Sequence, residues 1–380
     1  MEVAGIVCEY NPFHNGHQYH IEQTKKISDA CICIMSGNFV QRGDAACVNK
    51  FIRAEAAIKG GADLVLELPA VFACRSAETF AHGAISILEQ TGIVSLLSFG
   101  SETAQCDELI KAGAFFAYES EDFRKRLTEE LDKGISFPVA RANAVKEESF
   151  GFLLDHPNDL LGIEYCKSIT LLRSDITPCP ILRYKTGHHD KHTQDHFSSA
   201  SYLRMHPNEL ETNSPFAPLL RDGGFPVNTE LFQSVLLAHL RRISADELSQ
   251  TADCTEGLEY RLKQAALEGE TLQDVIALAK TKRYTQTRIQ RILINSYLGI
   301  LKDSYIPEYF RVLSANKKGT ELLRMIKQKG NLPIITNLSK QKIDSKALEI
   351  DINAGNFYAL LQSKNRQGGM DYTTSPRFLD

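Results

Sequence analysis

The sequence predicts an α/β chain: a Rossmann-like, doubly wound parallel sheet followed by a mainly helical C-terminal domain. Three observations predict it. Apolar runs of strand length alternate with helix-length segments through the first 200 residues, the pattern of βαβ units. From residue 227 to 297 the apolar period becomes helical, through Leu231, Val235, Leu236 and Leu240 and then Leu258, Leu262 and Ala266. Charge divides the same way: residues 261–346 hold 17 Lys/Arg against 7 Asp/Glu, while residues 1–260 hold 23 against 36.

Taken in order, residues 3–8 (VAGIVC) form an apolar run typical of a strand covered on both faces. Asn11 and Pro12 stop it, because proline has no N–H for a ladder and biases its predecessor away from helix. Gly16 permits close backbone approach, and residues 18–27 carry helix formers. A second strand is predicted over 30–35 and a helix over 49–59, closed by Gly60 and Gly61. A third strand (64–68) ends at Pro69, and a helix (77–90) leads to a fourth strand (94–99). Ligands of such sheets lie beyond the carboxyl ends of the strands. His14, the 36–43 loop and residues 100–102 are therefore expected on one rim. Residues 104–172 read as mostly helical, and 176–184 as a last strand that Pro178 and Pro180 place partly at an edge. The expected division is a catalytic domain over 1–207, a linker over 208–226 marked by Gly223, Gly224 and three prolines, a helical domain over 227–361 and a polar tail over 362–380.

Composition narrows the classes. The chain has 380 residues, 43% of them hydrophobic, enough for more than one core. It has no apolar run of bilayer length and no signal-peptide pattern, so a cytoplasmic protein with no membrane partner is expected. Nine cysteines include no C-x-x-C pair, which argues against structural zinc. Cys31 and Cys33 alternate along a predicted strand and read as packing. His188, His189, His192 and His196 lie in a polar loop over 185–197, and only His188/His192 and His192/His196 have i,i+4 spacing, so no metal site is expected there. The basic segment suggests a polyanion partner, although a solvated basic face has the same composition.

The chemistry starts at His14-Asn15-Gly16-His17, directly after the first strand. Two imidazoles at a helix start can donate to phosphoryl oxygens as charge builds, and the helix N-terminus favours an anion. Ser36–Gly43 is a glycine-bounded loop in which Asn38, Gln41 and Arg42 are candidate substrate residues; an ordinary βα loop has the same composition. Gly100 lets a flat base lie against backbone, and Asn158 either reads an adenine edge or caps a helix. Arg183, Ser199, Ser201 and Arg204 make a cradle for leaving pyrophosphate. Lys280, Lys282, Arg283, Arg288 and Arg291, with Tyr284 available to stack, fall within one predicted helical stretch and are the candidate RNA surface.

H-x-G-H after a first strand resembles the HIGH-type nucleotidyltransferases and class I aminoacyl-tRNA synthetases. The longer strings EYNPFHNGH, SGNFVQRG, DLVLELP, FGSE, NDLLGIEY and SSASYLR resemble, in order, the family of bacterial tRNA(Met) cytidine acetate ligases. VLSANKKG and PIITN match it more loosely. Ser201 stands where the superfamily's second signature usually has Thr, which keeps the hydroxyl. The resemblance implies ATP and acetate as substrates, Mg²⁺ on the phosphates, an acetyl-adenylate intermediate, and N4-acetylcytidine at the wobble position of elongator tRNA(Met). It implies ATP contacts from Val7, Cys8, Glu9, Tyr10, Asn11, Pro12, Phe13, His14, Asn15, Gly16, His17, Gln18, Tyr19 and His20, and from Gly100, Asn158 and Arg183, with His14 and His17 catalytic. Two alternatives remain at this stage. One is a metabolic nucleotidyltransferase acting on a small phosphate ester. The other is an RNA-binding protein with a vestigial nucleotide site.

Overall fold

The computed structural model describes residues 1–183, 198–341 and 343–380. The histidine-rich loop, with its four histidines, lies outside the described residues. β1 (Val3–Cys8) is the inner strand around which the sheet is wound. It pairs in parallel with β2 (Ala30–Ser36) and with β4 (Leu96–Ser101). β3 (Leu64–Leu68) pairs in parallel with β2, and β5 (Thr177–Leu182) with β4. β2 and β3 are buried along their whole length, which accounts for their lack of polar alternation. β5 is the edge strand of this end, where Pro178 and Pro180 are tolerated.

The C-terminal part departs from the expected division. β6 (Phe310–Ala315) returns to the main sheet and pairs antiparallel with β3. β7 (Ile334–Ile335) and β8 (Arg377–Phe378) each pair with β6, so the sheet order runs β5-β4-β1-β2-β3-β6-β7. The helices between residues 229 and 298 therefore sit within a chain that later re-enters the first sheet. β6 is fully buried and its apolar residues continue the same core; the helix Lys317–Lys329 carries the chain from it to β7, its parallel neighbour.

The segment 208–226 is packed rather than free. It holds the short helices Leu210–Asn213 and Ala217–Asp222, and Leu210, Ala217, Leu220 and Phe225 form a small core with Cys47 and Val48. The tail is not a solvated end either. Asp371 is buried and ion-pairs with Lys50 at 2.6 Å, while Lys50 also pairs with Glu67 at 2.7 Å. Arg311 donates to the Asp371 carbonyl at 3.0 Å. All nine cysteines are free thiols. Among the described residues no helix is long and apolar enough to cross a membrane.

Candidate active site

The carboxyl ends of β1, β4 and β5 open into a cavity of about 510 Å³. Its geometry is set where β1 ends. Tyr10 has φ +48°, a strained conformation for a non-glycine residue, and its ring is buried against Phe13 and His17 with centroids 5.0 and 4.9 Å away. The fully buried Arg53 braces the same turn. Its guanidinium donates to the carbonyls of Glu9, Ser36 and Gly37, which ties the ends of β1 and β2 together.

His14 is the N-cap of the helix Asn15–Thr24, and its Nδ1 accepts from the Gly16 N–H at 3.0 Å. His17 completes a capping box: its Nδ1 accepts from the His14 N–H at 3.3 Å. The two rings stack with centroids 3.7 Å apart. A neutral imidazole has one acceptor nitrogen and one donor nitrogen. With both Nδ1 atoms accepting, both Nε2 atoms carry the proton. Burial, with the cations Arg183 and Arg204, lowers the His14 pKa to about 3. Burial, His14 and Arg183 likewise hold His17 well below the ordinary histidine value. The pair is therefore a neutral double donor at physiological pH.

Arg42, Arg183 and Arg204 line the same cavity. Arg204 donates to the Asn11 carbonyl at 2.7 Å and to Ser201 Oγ at 3.1 Å, so it is fixed against the turn after β1. Ser199 caps the helix Ala200–Met205 by accepting from the Tyr202 N–H. On the other wall, Gly100 faces Arg183; a Cβ there would lie 3.3 Å from Arg183 Cγ. Glu102 caps the helix Pro157–Leu172, accepting from the N–H groups of Asn158 and Asp159 and from Asn158 Nδ2 at 2.5 Å. Asn158 is thus not the cap itself. Its Oδ1 accepts from Arg183 at 3.5 Å, which holds the amide at the cavity wall.

Most residues expected at the nucleotide line this cavity: Val7, Cys8, Glu9, Tyr10, Asn11, His14, Gly16, His17, Tyr19, His20, Gly100, Asn158, Arg183, Ser199 and Arg204. Gln41 and Arg42 join them. Several expected contacts lie elsewhere. Phe13 is buried beneath the turn, against Phe216 at 5.5 Å. Asn15 donates to the Thr212 carbonyl, and Gln18 to Glu22. Pro12 and Ser201 are outside the lining, and Ser201 acts on Arg204 instead. Asn38 is a correction: it is buried outside the lining and its Oδ1 accepts from the Lys50 N–H at 2.9 Å, an N-terminal brace for the helix Lys50–Lys59. Sequence reasoning missed Phe80, Leu161 and Tyr165 in the lining, and Arg53 behind it. The first three read as ordinary core residues. Arg53 is one of four charged residues in the helix Lys50–Lys59, so nothing in the sequence sets it apart as a buried backbone brace.

The basic segment is also rearranged. Lys280 follows the helix Leu272–Ala279, residues 281–285 form a turn, and Arg288 and Arg291 lie on the next helix, Gln286–Leu298. Arg291 pairs with Asp253 at 3.0 Å, and Arg283 with Glu256 at 3.1 Å. Arg288 donates to Thr255 Oγ1 and to the Asp253 carbonyl, and Tyr284 donates to the Glu256 carbonyl. These residues fasten the 253–256 loop. Lys280 and Lys282 are exposed.

Fold and site define a class: the chain belongs to the HIGH Nucleotidyl Transferase family, whose model matches residues 1–371. Within it the chain belongs with the tRNA(Met) cytidine acetate ligases. It is 37% identical to the protein of that name from Halothermothrix orenii over 98% of both chains, and 39% identical to that of Thermoanaerobacter sp., again over 98% of both. It is also similar to the crystal structure of Thermotoga maritima TmcAL bound with alpha-thio ATP, with a TM-score of 0.90, 34% identity and full coverage of both chains.

Proposed function

We propose that this protein is an ATP-dependent ligase that activates acetate as acetyl-adenylate and transfers the acetyl group to the wobble cytidine of elongator tRNA(Met). The observation that carries the reading is the stacked, neutral histidine pair, two Nε2–H donors at a helix N-terminus in a cavity that also holds Arg42, Arg183 and Arg204. An acetate oxygen attacks the α-phosphorus in line, and pyrophosphate leaves. Fixed donors stabilise the charge that develops on the phosphoryl oxygens, and they need no reorganisation during the step. Arg183 and Arg204, with the start of the helix Ala200–Met205, suit the departing pyrophosphate. The cytidine N4 amine then attacks the acetyl carbonyl and AMP is released.

No side-chain nucleophile is needed. Cys8 is the lining cysteine, and burial holds its thiol well above the ordinary range, so it stays protonated. Magnesium enters as the counter-ion of the ATP phosphates. Among the described residues no group of three or more His, Cys, Asp or Glu side chains converges to hold a metal. The tRNA side of the reading rests on the basic segment, whose exposed cations include Lys280 and Lys282. A vestigial nucleotide site fits poorly, because both histidines keep their donor geometry. Acetate-dependent exchange of pyrophosphate into ATP, without tRNA, tests the first step. Exchange that requires acetate supports adenylate formation; exchange that instead requires a phosphate ester points to a metabolic nucleotidyltransferase.

A further inference from the structure

The topology gives the cavity two ends. β1 lies between β4 and β2. Gly100, Asn158 and Arg183 stand on the β4–β5 side, while Gln41 and Arg42 follow β2, and the histidine pair lies between. Glu9 is the first residue beyond β1, and it is the one acidic side chain among the described residues that line the cavity. Its carboxylate turns toward the β2 side, where Oε1 accepts from the Gln41 N–H at 2.8 Å. Gln41 is itself held, through Nε2, by the Arg75 carbonyl at 3.1 Å. Arg53 fixes the Glu9 carbonyl, and the buried Tyr10 fixes the next residue.

A carboxylate is a poor neighbour for a triphosphate or for acetate, since all three are anions. It suits an amine. The exocyclic N4 group of cytosine is a hydrogen-bond donor, and Glu is a natural acceptor for it. We propose that Glu9 is the general base of the acetyl-transfer step, accepting a hydrogen bond from cytidine N4 and taking its proton during attack. The inference rests on the adenylate reading above. The N4 lone pair forms the new C–N bond at the acetyl carbonyl carbon. The bond from that carbon to the phosphate oxygen breaks, and AMP leaves with its electron pair. The N4 proton passes to Glu9 and then to water.

The groups that face Glu9 support this role. Arg42 comes from the loop after β2, Arg53 from the helix Lys50–Lys59 and Arg204 from the helix Ala200–Met205; Cys74 and Tyr165 approach as neutral groups. Burial raises the Glu9 pKa, and the Gln41 N–H and the three arginines draw it back only in part. A carboxylate above its ordinary range is a stronger base and still ionises.

The test isolates transfer by starting from synthetic acetyl-AMP. Wild type and Glu9→Gln are mixed with acetyl-AMP and tRNA in single-turnover mode, and N4-acetylcytidine is quantified across pH. Wild type should rise with pH through one carboxyl ionisation and then level off. Glu9→Gln should transfer at least about 10²-fold more slowly and lose that limb. Glu9→Asp should keep the limb at a reduced rate, which guards against a misfolded Gln variant. An E9Q rate within about threefold of wild type with the limb intact overturns the proposal, as does an E9D profile without a limb. If wild type itself fails to transfer from acetyl-AMP, the adenylate reading falls, and this inference with it.

Discussion

At the residue scale the central device is a pair of histidines whose hydrogen bonds fix their tautomer. Each gives its Nδ1 to a backbone N–H, so each can only donate from Nε2. Replacing His17 by Ala removes one donor and the ring that stacks on His14 and packs against Tyr10. Acetyl-AMP formation without tRNA should fall about 10²-fold or more, the scale of losing one transition-state donor. A folded variant with near-normal turnover would take His17 out of the chemistry. The same geometry makes a pH prediction. A depressed histidine pKa keeps the ring neutral as pH falls past the ordinary 6.5, and His14 gains a proton only near 3. Adenylate formation should therefore show no ionisation limb near pH 6.5 assignable to these rings. A limb there that disappears in His14→Ala would contradict the neutral assignment.

At the element scale the basic segment shows how charge counts mislead. Seventeen cations against seven anions marked residues 261–346 as a polyanion surface. Yet Arg283 and Arg291 pair with Glu256 and Asp253, acids that precede the counted window. Part of the excess is internal bracing, visible only once the 253–256 loop is placed beside the helix Gln286–Leu298. The exposed remainder includes Lys280 and Lys282. Replacing both by Ala should weaken tRNA binding and lower the salt slope by about one per lost phosphate contact, with acetyl-AMP formation retained. An unchanged salt slope would remove these two lysines from the RNA surface. Gly43 joins this element to the cavity. It has φ +85°, and a Cβ there would lie 2.6 Å from the Gln290 backbone, so the loop bearing Gln41 and Arg42 rests directly on that helix.

At the scale of the whole molecule, the C-terminal residues complete the first sheet. Lys50, Glu67, Arg311 and Asp371 form a buried charge cluster drawn from residues up to 321 positions apart. Removing one partner of a buried pair leaves an uncompensated charge, a loss of about 3–5 kcal/mol. Asp371→Ala should lower stability by that order in denaturant unfolding; a change below about 1 kcal/mol would mean the cluster is solvated. The βαβ part of the fold was legible because its strands are mainly apolar runs separated by helix-length segments, as at Leu64–Leu68 before Pro69. The H-x-G-H turn was legible for its place after β1. β6 and β8 were not: β6 pairs with β3 across about 250 residues, which leaves no local period, and β8 is only two residues long. Asn38 was misplaced because its amide serves the backbone of the helix Lys50–Lys59, a role with the same residue preference as substrate binding.

The most direct test of the account is mass spectrometry of the nucleosides of tRNA(Met) incubated with the protein, ATP and acetate. The account predicts N4-acetylcytidine at the wobble position, with one AMP released per acetyl group, and none when either ATP or acetate is omitted. Unmodified cytidine under the complete conditions, in protein that binds both ATP and tRNA, would contradict it.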